Sequence, residues 1–332
     1  MSVKERICIS GLGYIGLPTA ALLANCGYIV HGVDVVSSVV DTINRGEIHI
    51  VEPDLDAFVH AAVNSGHLKA ALGPAEANVF IIAVPTPFHA DLSPDITYVL
   101  SASRSIAPFL KPGNLVILES TSPVGTTEKV KAEIEKAGVD TSQLYFAYCP
   151  ERVLPGHVMK ELIENDRIVG GLDPISTEKV AAFYRTFVKG AVLETNARTA
   201  EMCKLTENAS RDVSIAFANE LSMICDDLGI NVWELIELAN KHPRVNILRP
   251  GTGVGGHCIA VDPWFIVAQS PEKAKIIRQA REVNNFKTKW VVEKIINTCL
   301  RFRIDQKKKP KVACLGLAFK PDIDDLRESP AV

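Results

Sequence analysis

The sequence predicts an α/β protein. Three features predict it: a glycine-rich turn between an apolar strand and a helix, a series of strands alternating with helices, and one helical pattern of about 30 residues. We expect an N-terminal Rossmann-like doubly wound parallel sheet, followed by a central helical domain with a long spine helix. A last apolar stretch predicts the start of a second α/β domain that is truncated. The expected domains are 1–195, 196–304 and 310–332.

The first feature is the turn at residues 11–16. An apolar strand at 7–10 runs into G-x-G-x-x-G, and a helix-like stretch follows at 17–24. Such glycines make a tight turn and let the backbone approach a pyrophosphate, whose charge the helix N-terminus stabilises. A second strand at 29–33 ends at Asp34, an acid placed to bind ribose hydroxyls and to repel a 2′-phosphate, so NAD is expected rather than NADP. The fingerprint residues are Gly11, Gly13, Gly16 and Asp34.

The second feature is the alternation of strands and helices. Apolar strands are predicted at 79–84, 115–119 and 145–148, and helical periodicity is found at 98–110 and 127–137. Strands separated by helices form a parallel doubly wound sheet, which binds ligands at its carboxyl edge. The segments after these strands are rich in hydroxyl groups, prolines or charges, as a cofactor-facing rim would be. They are residues 85–87, 120–127 and 149–152.

The third feature is a helix predicted from about Thr199 to Leu228, which Gly229 ends. A helix of this length is a natural spine between domains and a candidate dimer surface. Apolar residues recur along it every three or four positions and predict a core-facing stripe. The predicted stripe consists of Ala209, Val213, Phe217, Leu221, Ile224 and Leu228.

Three polar residues near the start of this helix share one face. Lys204, Asn208 and Arg211 are spaced at i, i+4 and i+7, so an ammonium, an amide and a guanidinium can converge on one ligand. A solvated polar face explains the same spacing, and the pattern alone leaves both interpretations open.

Composition excludes several classes of function. The chain has 332 residues and a net charge of −3, which gives no electrostatic reason to expect nucleic acid or an anionic membrane surface. No apolar run reaches the roughly 20 residues of a membrane span, and no signal-peptide core is present. The eight cysteines form no CxxC pair and no metal-like cluster. We therefore expect a cytoplasmic protein with reduced thiols and no metal site.

Cys258 is the strongest candidate nucleophile. It follows the glycine-rich residues 253–256, and Asp262 stands four positions after it. Glycines without Cβ atoms let a substrate approach, and nearby amides stabilise a thiolate. An ordinary entry into a strand is the alternative interpretation of this segment.

The last block follows the polar run at 305–310, which is most simply a solvated linker. Residues 311–319 predict an apolar strand, and a charged turn follows at 322–328. One strand and a turn cannot bury a core, so we expect the beginning of a second α/β domain.

These motifs together resemble the nucleotide-sugar 6-dehydrogenase family, which includes UDP-glucose and GDP-mannose dehydrogenases. The resemblance covers essentially the whole chain. Members continue for about another half domain beyond residue 330, so we expect this chain to be incomplete. The matching stretches are 11–16, 82–88, 119–127, 149–156, 201–211, 242–262 and 319–330.

Within the family, the chain resembles most the branch that oxidises UDP-N-acetylhexosamines. Members acting on UDP-glucose have a Gly-Gly-Ser-Cys-Phe-Pro-Lys-Asp type of block, whereas His257 precedes the cysteine here and Val261 replaces the lysine. Segments 44–47, 52–55 and 242–246 also resemble that branch. The implied substrate is UDP-N-acetyl-D-mannosamine, and the implied process is surface polysaccharide biosynthesis, such as that of the enterobacterial common antigen.

The resemblance implies a four-electron oxidation of a C6 alcohol with two NAD⁺. Lys204 with Asp262 is the implied base system, and Cys258 forms a thiohemiacetal and then a thioester. Asn208 and Lys204 are implied to stabilise the alkoxide. Glu151 and Thr121 match positions near the nicotinamide and the sugar, where they order the hydrolytic water.

The resemblance also implies binding residues. For NAD these are the backbone amides of Tyr14 and Ile15, then Asp34, Thr86, Thr121, Thr127 and Arg327. For the UDP-sugar they are Arg152, Val153, Lys204, Asn208, Arg211, His242, Arg244, Gly255, Phe319 and Lys320. Simple packing or hydrogen bonding is the alternative for Val153, Phe319 and His242. The implied assembly is a homodimer through the central helical domain, with no nucleic-acid or membrane partner.

Two other functions compete with this one. A two-electron dehydrogenase of the 3-hydroxyacid or 6-phosphogluconate type shares a Rossmann domain and a helical spine, but it has no use for Cys258 in a glycine loop. One NADH per substrate would favour it. A non-catalytic, truncated NAD-binding or dimerisation module would bind NAD tightly and no nucleotide sugar.

Overall fold

The computed structural model describes residues 5–256, 258–320 and 326–332. The chain divides into two compact units, Met1–Lys204 and Leu205–Val332. The division falls inside a helix, Ala197–Leu228, that supplies residues to both units.

The first unit is built on one eight-stranded sheet. Its order is β3-β2-β1-β4-β5-β6-β7-β8, and neighbouring strands of this order are parallel except β6 and β7. The strands are β1 (Arg6–Ser10), β2 (Ile29–Val33), β3 (Leu68–Ala71), β4 (Val79–Ile82), β5 (Leu115–Leu118), β6 (Tyr145–Tyr148), β7 (Arg167–Gly171) and β8 (Val192–Asn196). The predicted parallel doubly wound sheet is confirmed, and β3, β7 and β8 are additions to the predicted strands.

Helices cover both faces of this sheet. Successive strand residues face opposite sides. Ile7 and Ile9 of β1 therefore join one core cluster with α1, α3 and α7, while Cys8 joins a second cluster with α4 and α5. The helices are α1 (Gly16–Asn25), α2 (Ser37–Asn44), α3 (Leu55–Asn64), α4 (Thr97–Ile106), α5 (Thr126–Lys136), α6 (Val158–Glu164) and α7 (Pro174–Tyr184), with a 3₁₀ turn at Ala107–Phe109.

The second unit is helical in the part that the structure describes. It contains the greater part of α8 (Ala197–Leu228), then α9 (Val232–Ala239), α10 (Asp262–Gln269) and α11 (Lys275–Gln306). The predicted spine helix is confirmed and begins two positions before the predicted start, at Ala197.

The predicted apolar stripe of α8 is wrong over most of its length. Ala209 is buried, but Phe217, Ile224 and Leu228 are 54%, 46% and 67% exposed. The fully or largely buried positions form a different stripe, which includes two polar residues because α11 supplies their hydrogen-bond partners. This stripe consists of Leu205, Ala209, Asp212, Ala216 and Asn219.

The strand predicted at 311–319 is also wrong: residues 311–320 contain no strand. A strand needs a hydrogen-bonded neighbour, and none of the described strands pairs with this segment. Val312, Leu315 and Leu317 are 62%, 96% and 51% exposed. Residues 322–325 of the predicted charged turn lie outside the described residues. Over the described ranges, no helix is long and apolar enough to cross a membrane.

Candidate functional site

The turn at residues 11–16 requires glycine at two of its three glycine positions. Gly11 has a φ of 93°, and a Cβ there would lie 2.6 Å from the carbonyl oxygen of Ala83. A Cβ on Gly16 would overlap the carbonyl oxygen of Gly11. A Cβ on Gly13 would meet nothing within 4 Å, so the backbone is open on that side. Gly13 therefore leaves room for a phosphate group beside the first turn of α1.

Asp34 lies directly after β2, with its carboxylate fixed by two backbone amides. Oδ2 accepts a hydrogen bond from Leu12 N at 3.1 Å, and Oδ1 accepts one from Val36 N at 3.0 Å. The acid is thereby held next to the glycine turn, as the fingerprint predicts. His49, which no sequence motif indicated, interacts with Leu12 and with the charge of Asp34. Burial lowers the pKa of His49, and Asp34 opposes this effect.

The segments after β4 and β5 meet at the carboxyl edge of the sheet. Thr86 Oγ1 donates a hydrogen bond to the carbonyl oxygen of Thr121 at 2.6 Å, and Ser120 Oγ donates to Val84 O at 2.8 Å. The structure therefore brings together the two predicted rim residues Thr86 and Thr121.

Thr127 has a structural partner that the sequence analysis missed. Glu201 accepts hydrogen bonds from Thr127 N at 2.8 Å, Thr127 Oγ1 at 2.7 Å and Gly125 N at 2.6 Å. Burial raises the pKa of Glu201, and these hydrogen bonds oppose the rise. The carboxylate thus satisfies amides at the start of α5. A role of Thr127 in cofactor binding stays a prediction.

Glu151 forms a buried ion pair with Arg167. Glu151 Oε2 lies 2.6 Å from Arg167 Nη1, and the two side chains are 5% and 3% exposed. Glu151 Oε1 accepts a hydrogen bond from Arg152 N at 2.7 Å, while Arg152 Nη1 donates to the carbonyl oxygen of Asp166 at 3.0 Å. The predicted residues Glu151 and Arg152 are therefore held by β7 and the residue just before it. Val153 packs against the first core cluster, so its predicted substrate role stays a prediction.

A second carboxylate is buried beside this ion pair. Glu119 Oε1 accepts a hydrogen bond from the hydroxyl of Tyr184 at 2.6 Å. Burial raises the pKa of Glu119 to about 7, although the charge of Arg167 acts in the opposite direction. Burial also raises the pKa of the neighbouring Cys149 thiol to about 12. Glu151 thus forms an ion pair with Arg167, and the charge of the same guanidinium acts on Glu119, an arrangement that the sequence did not predict.

Asn208, Asp262 and Cys258 form one arrangement in the second unit. Asn208 Nδ2 donates a hydrogen bond to Asp262 Oδ2 at 2.6 Å. Asp262 is the first residue of α10, and its backbone amide donates to the carbonyl oxygen of Cys258 at 2.9 Å. Asp262 is buried, whereas Cys258 is exposed. The first residue of α10 therefore supports the turn that presents the thiol, and half-buried Asn208 holds its buried carboxylate. Lys204, the first of the predicted trio, is half-buried on α8, and Arg211 is exposed.

The glycines before Cys258 allow a close approach by a later part of the chain. A Cβ on Gly255 would lie 2.6 Å from the Cβ of Phe319, and one on Gly256 would lie 2.7 Å from the ring. Gly256 has a φ of 84°, and its amide donates to the carbonyl oxygen of Arg327 at 2.9 Å. Two predicted residues, Phe319 and Arg327, therefore contact the glycines at 255 and 256, and Gly255 is itself a predicted residue.

The other predicted substrate residues lie elsewhere in the second unit. His242 and Arg244 are exposed in the turn after α9, where Arg244 N donates to His242 Nδ1 at 3.3 Å. Lys320 is half-buried and directly follows Phe319. His257 lies outside the described residues. Among those that are described, no group of three or more His, Cys, Asp or Glu residues could hold a metal ion.

Comparison with known families assigns both units. Residues 5–188 match the NAD binding domain of the UDP-glucose/GDP-mannose dehydrogenase family, and residues 198–286 match its central domain. The chain belongs to this family. It is an NAD-dependent nucleotide-sugar dehydrogenase, which confirms the predicted class of enzyme and its cofactor.

Individual relatives are similar over most of the chain. UDP-N-acetyl-D-mannosamine dehydrogenase of Escherichia coli (strain K12) is 59% identical over 98% of this chain and 80% of its own length. An NDP-N-acetyl-D-galactosaminuronic acid dehydrogenase of Ralstonia solanacearum is 57% identical over 99% of this chain and 78% of its own. The solved UDP-N-acetyl-mannosamine dehydrogenase of Staphylococcus aureus is 49% identical, with a TM-score of 0.88 over 98% of this chain and 78% of its own.

Proposed function

We propose that this chain oxidises the C6 alcohol of UDP-N-acetyl-D-mannosamine to the carboxylate of UDP-N-acetyl-D-mannosaminuronate. The observation that carries the proposal is the exposed thiol of Cys258 on a turn supported by Asp262 and Asn208. A two-electron oxidation has no need of a nucleophile, whereas a four-electron oxidation uses one to hold the aldehyde. The substrate is inferred from relatives named for it that are 58–59% identical.

The cofactor is proposed to be held by the glycine turn and Asp34. The open side of Gly13 fits a pyrophosphate, and the fixed carboxylate of Asp34 fits ribose hydroxyls. Backbone amides of Tyr14 and Ile15, together with Thr86, Thr121, Thr127 and Arg327, are assigned to the same cofactor. NAD, when bound, accepts one hydride in each of the two oxidations. Asp34→Ala should narrow the preference for NAD over NADP, and equal use of both by the unmodified protein would contradict this assignment.

The residues of the chain are assigned to the remaining steps. The first oxidation requires removal of the hydroxyl proton, which we assign to Lys204 or Asp262. The sulfur of Cys258 then bonds to C6 of the aldehyde, and Asn208 and Lys204 donate hydrogen bonds to the resulting oxygen. The second oxidation leaves a thioester. Water adds to its carbonyl carbon, the C–S bond breaks, and sulfur leaves as the thiolate. Glu151 and Thr121 are assigned to ordering this water.

The nucleotide sugar is assigned to the residues that match the substrate positions of the family. They are Arg152, Val153, Lys204, Asn208, Arg211, His242, Arg244, Gly255, Phe319 and Lys320. A UDP-N-acetylgalactosamine-type sugar is the second candidate substrate, because a relative named for a galactosaminuronic acid is 57% identical. The two sugars differ in the stereochemistry at ring carbons, so a panel of nucleotide sugars separates them.

The test is NADH formation against UDP-N-acetylmannosamine, UDP-N-acetylgalactosamine, UDP-N-acetylglucosamine and UDP-glucose. We expect two NADH per UDP-N-acetylmannosamine, with the uronic acid as product. One NADH per sugar would support a two-electron dehydrogenase, and tight NAD binding without turnover on any member of the panel would support a non-catalytic module.

We also propose a homodimer through the central helical domain. Phe217, Ile224 and Leu228 of α8 expose large apolar side chains, as do several residues of α11. Contiguous apolar surface of this kind marks interfaces. Light scattering after size-exclusion chromatography should give twice the 36.1 kDa of one chain. A monomeric mass at micromolar concentration would contradict this proposal.

The proposed location is the cytoplasm. The eight cysteines are free in the structure, as thiols are in a reducing compartment. Fractionation of the cells that make the protein tests this location, and recovery from a periplasmic or extracellular fraction would contradict it.

A further inference from the structure

A set of buried polar side chains joins α8 and α11 of the second unit. Asp212 Oδ1 accepts hydrogen bonds from Arg281 Nη1 at 2.7 Å and from Asn284 Nδ2 at 2.8 Å. Asn284 Nδ2 also donates to the carbonyl oxygen of Asp212 at 3.1 Å. All three residues are at most 2% exposed. Each of these side chains has at least one hydrogen-bond partner of the opposite kind, which offsets part of the cost of burial, although Asp212 Oδ2 and Arg281 Nε are buried without one.

The set continues to the segment that precedes Cys258. Asn284 Oδ1 accepts a hydrogen bond from Asn219 Nδ2 at 2.8 Å. Asn219 is fully buried, and its Oδ1 accepts a hydrogen bond from the backbone amide of Gly251 at 2.9 Å. We call Asp212, Asn284, Asn219 and the Gly251 amide the Asp212–Gly251 relay. The glycine-rich segment is defined as residues 251–256.

Asp212 sets the direction of every hydrogen bond in the relay. Its oxygen is an acceptor, so Asn284 must turn its NH₂ group toward Asp212 and its oxygen toward Asn219. Asn219 must then turn its own NH₂ group toward Asn284, which leaves its oxygen for Gly251. A buried carboxylate thus determines that an acceptor is placed opposite the first amide of the glycine-rich segment.

The glycine-rich segment needs fixed points to hold its conformation. It contains glycines at 251, 253, 255 and 256, and glycine loses more conformational freedom on ordering than any other residue. Its far end is held by the hydrogen bond from Gly256 N to Arg327 O, and Cys258 is held by the first turn of α10. The relay holds the start of the segment, through the hydrogen bond from Gly251 N to Asn219 Oδ1, before both of these contacts.

We propose that Asn219 is a positioning residue that fixes the glycine-rich segment, and through it the Cys258 thiol, by way of the Asp212–Gly251 relay. Asn219 acts through Gly251 and is not assigned any contact with substrate or cofactor. The proposal deepens the proposed function, because it concerns the nucleophile of that reaction. Its main test needs no substrate and therefore does not depend on the identity of the sugar.

The test is hydrogen exchange of residues 251–256 in the substrate-free, full-length chain. Asn219→Asp keeps the size of the side chain but places a second acceptor against Asn284 Oδ1, so the relay cannot be satisfied. We expect exchange of the Gly251 amide to become about tenfold faster or more, with α10 unchanged. Asn219→Ala removes both hydrogen bonds without adding charge and should act in the same direction, which covers the case that the aspartate variant does not fold.

A kinetic measurement separates positioning from general loss of structure. With UDP-N-acetylmannosamine, we expect kcat of the Asn219 variants to fall by roughly 10- to 100-fold, while KM for NAD stays within about twofold. Asn297→Asp is the matched control, because Asn297 is an exposed asparagine of α11 that takes part in none of the hydrogen bonds of the relay. It should leave both exchange and kcat unchanged.

A second position tests the relay beyond Asn219. Asn284→Ala removes the hydrogen bonds of Asn284 to Asp212 and leaves Asn219 Nδ2 without its acceptor. We expect exchange at Gly251 to become faster in this variant too, by less than in Asn219→Ala. Wild-type exchange of residues 251–256 together with wild-type kcat in the folded Asn219 variants would overturn the proposal. Faster exchange with no turnover by the wild-type protein on any nucleotide sugar would uphold the relay and refute the proposed function instead.

Discussion

Two buried ion pairs among the described residues differ in the polar side chains that surround them. Arg167 with Glu151 lies in the first unit beside a second carboxylate, Glu119, on which the charge of Arg167 also acts. Arg281 with Asp212 lies in the second unit and is extended by two asparagines. The first arrangement changes its charge near neutrality because Glu119 has a pKa of about 7. The second carries a balanced charge and fixes the orientation of amides. The two pairs therefore differ in how their charge depends on pH and in whether they orient neighbouring amides.

The largest expected effect is a loss of uronic acid formation. It should be greater when the proposed nucleophile of the second unit is replaced than when the proposed water-ordering acid of the first unit is replaced. Cys258→Ser should lower uronic acid formation by several orders of magnitude, because serine at neutral pH is a far weaker nucleophile than a thiolate. Glu151→Gln should lower it by about 10²-fold while the thioester still forms. We would measure NADH per sugar and search for the covalent adduct by mass spectrometry.

The two variants should also differ in what accumulates. The covalent adduct is expected on Cys258 in Glu151→Gln. No adduct is expected in Cys258→Ser. Near-normal uronic acid production by Cys258→Ser, with two NADH per sugar, would make Cys258 a packing residue. It would remove the covalent mechanism altogether.

A second pair of variants compares the ion pairs as contributors to stability. Arg167→Met leaves two buried carboxylates without a cation, whereas Arg281→Met leaves one that still accepts from Asn284. Removing one partner of a buried pair costs about 3–5 kcal/mol, so both variants should unfold at lower denaturant. Arg167→Met should be the more destabilised of the two, measured at pH 7.5 by chemical denaturation. A larger loss of unfolding free energy in Arg281→Met would show that the number of buried carboxylates near each arginine does not decide the difference.

The sequence predicted those parts of the fold that depend on local patterns. The glycine turn at 11–16, the strands after it and the spine helix follow from spacing within about 30 residues, and the structure confirms them. The grouping of Thr86 with Thr121 followed as well, because parallel strands bring their carboxyl ends to one edge.

The buried polar groups could not be predicted in the same way. Asp212 and Asn219 look like solvated residues of α8, but their partners Arg281 and Asn284 follow 69 and 65 positions later. Glu201 and Thr127 are 74 positions apart. Hydrophobic periodicity assigns a side chain to a face of a helix. It carries no information about a polar partner so distant in sequence. The same limit explains the wrong apolar stripe, since Phe217 and Ile224 match helical spacing as well as the residues that are buried.

The smallest expected effect is a change with pH in the free energy of unfolding, which depends on Glu119. It would test whether the surroundings of the first ion pair change charge near neutrality. Burial raises its pKa from 4.5 to about 7, with Arg167, Glu151 and Tyr184 as its charged or titratable neighbours. Between these pH values the unfolded chain releases the proton while the folded chain keeps it. The stabilisation from the neutral carboxyl is therefore fully present below pH 4.5 and is lost as the pH rises through about 7.

Glu119→Gln removes this titration and keeps an oxygen that can accept from Tyr184. The free energy of unfolding of the wild type, relative to the variant, should therefore fall by roughly 3 kcal/mol between pH 4.5 and pH 7.5. Denaturation curves at half-unit pH steps measure this difference. Glu178→Gln, at an exposed position of α7, is the matched control and should show a constant difference across the same range. A constant difference for Glu119→Gln as well would mean that Arg167 keeps both carboxylates ionised, and the first ion pair would then hold no exchangeable proton near neutrality.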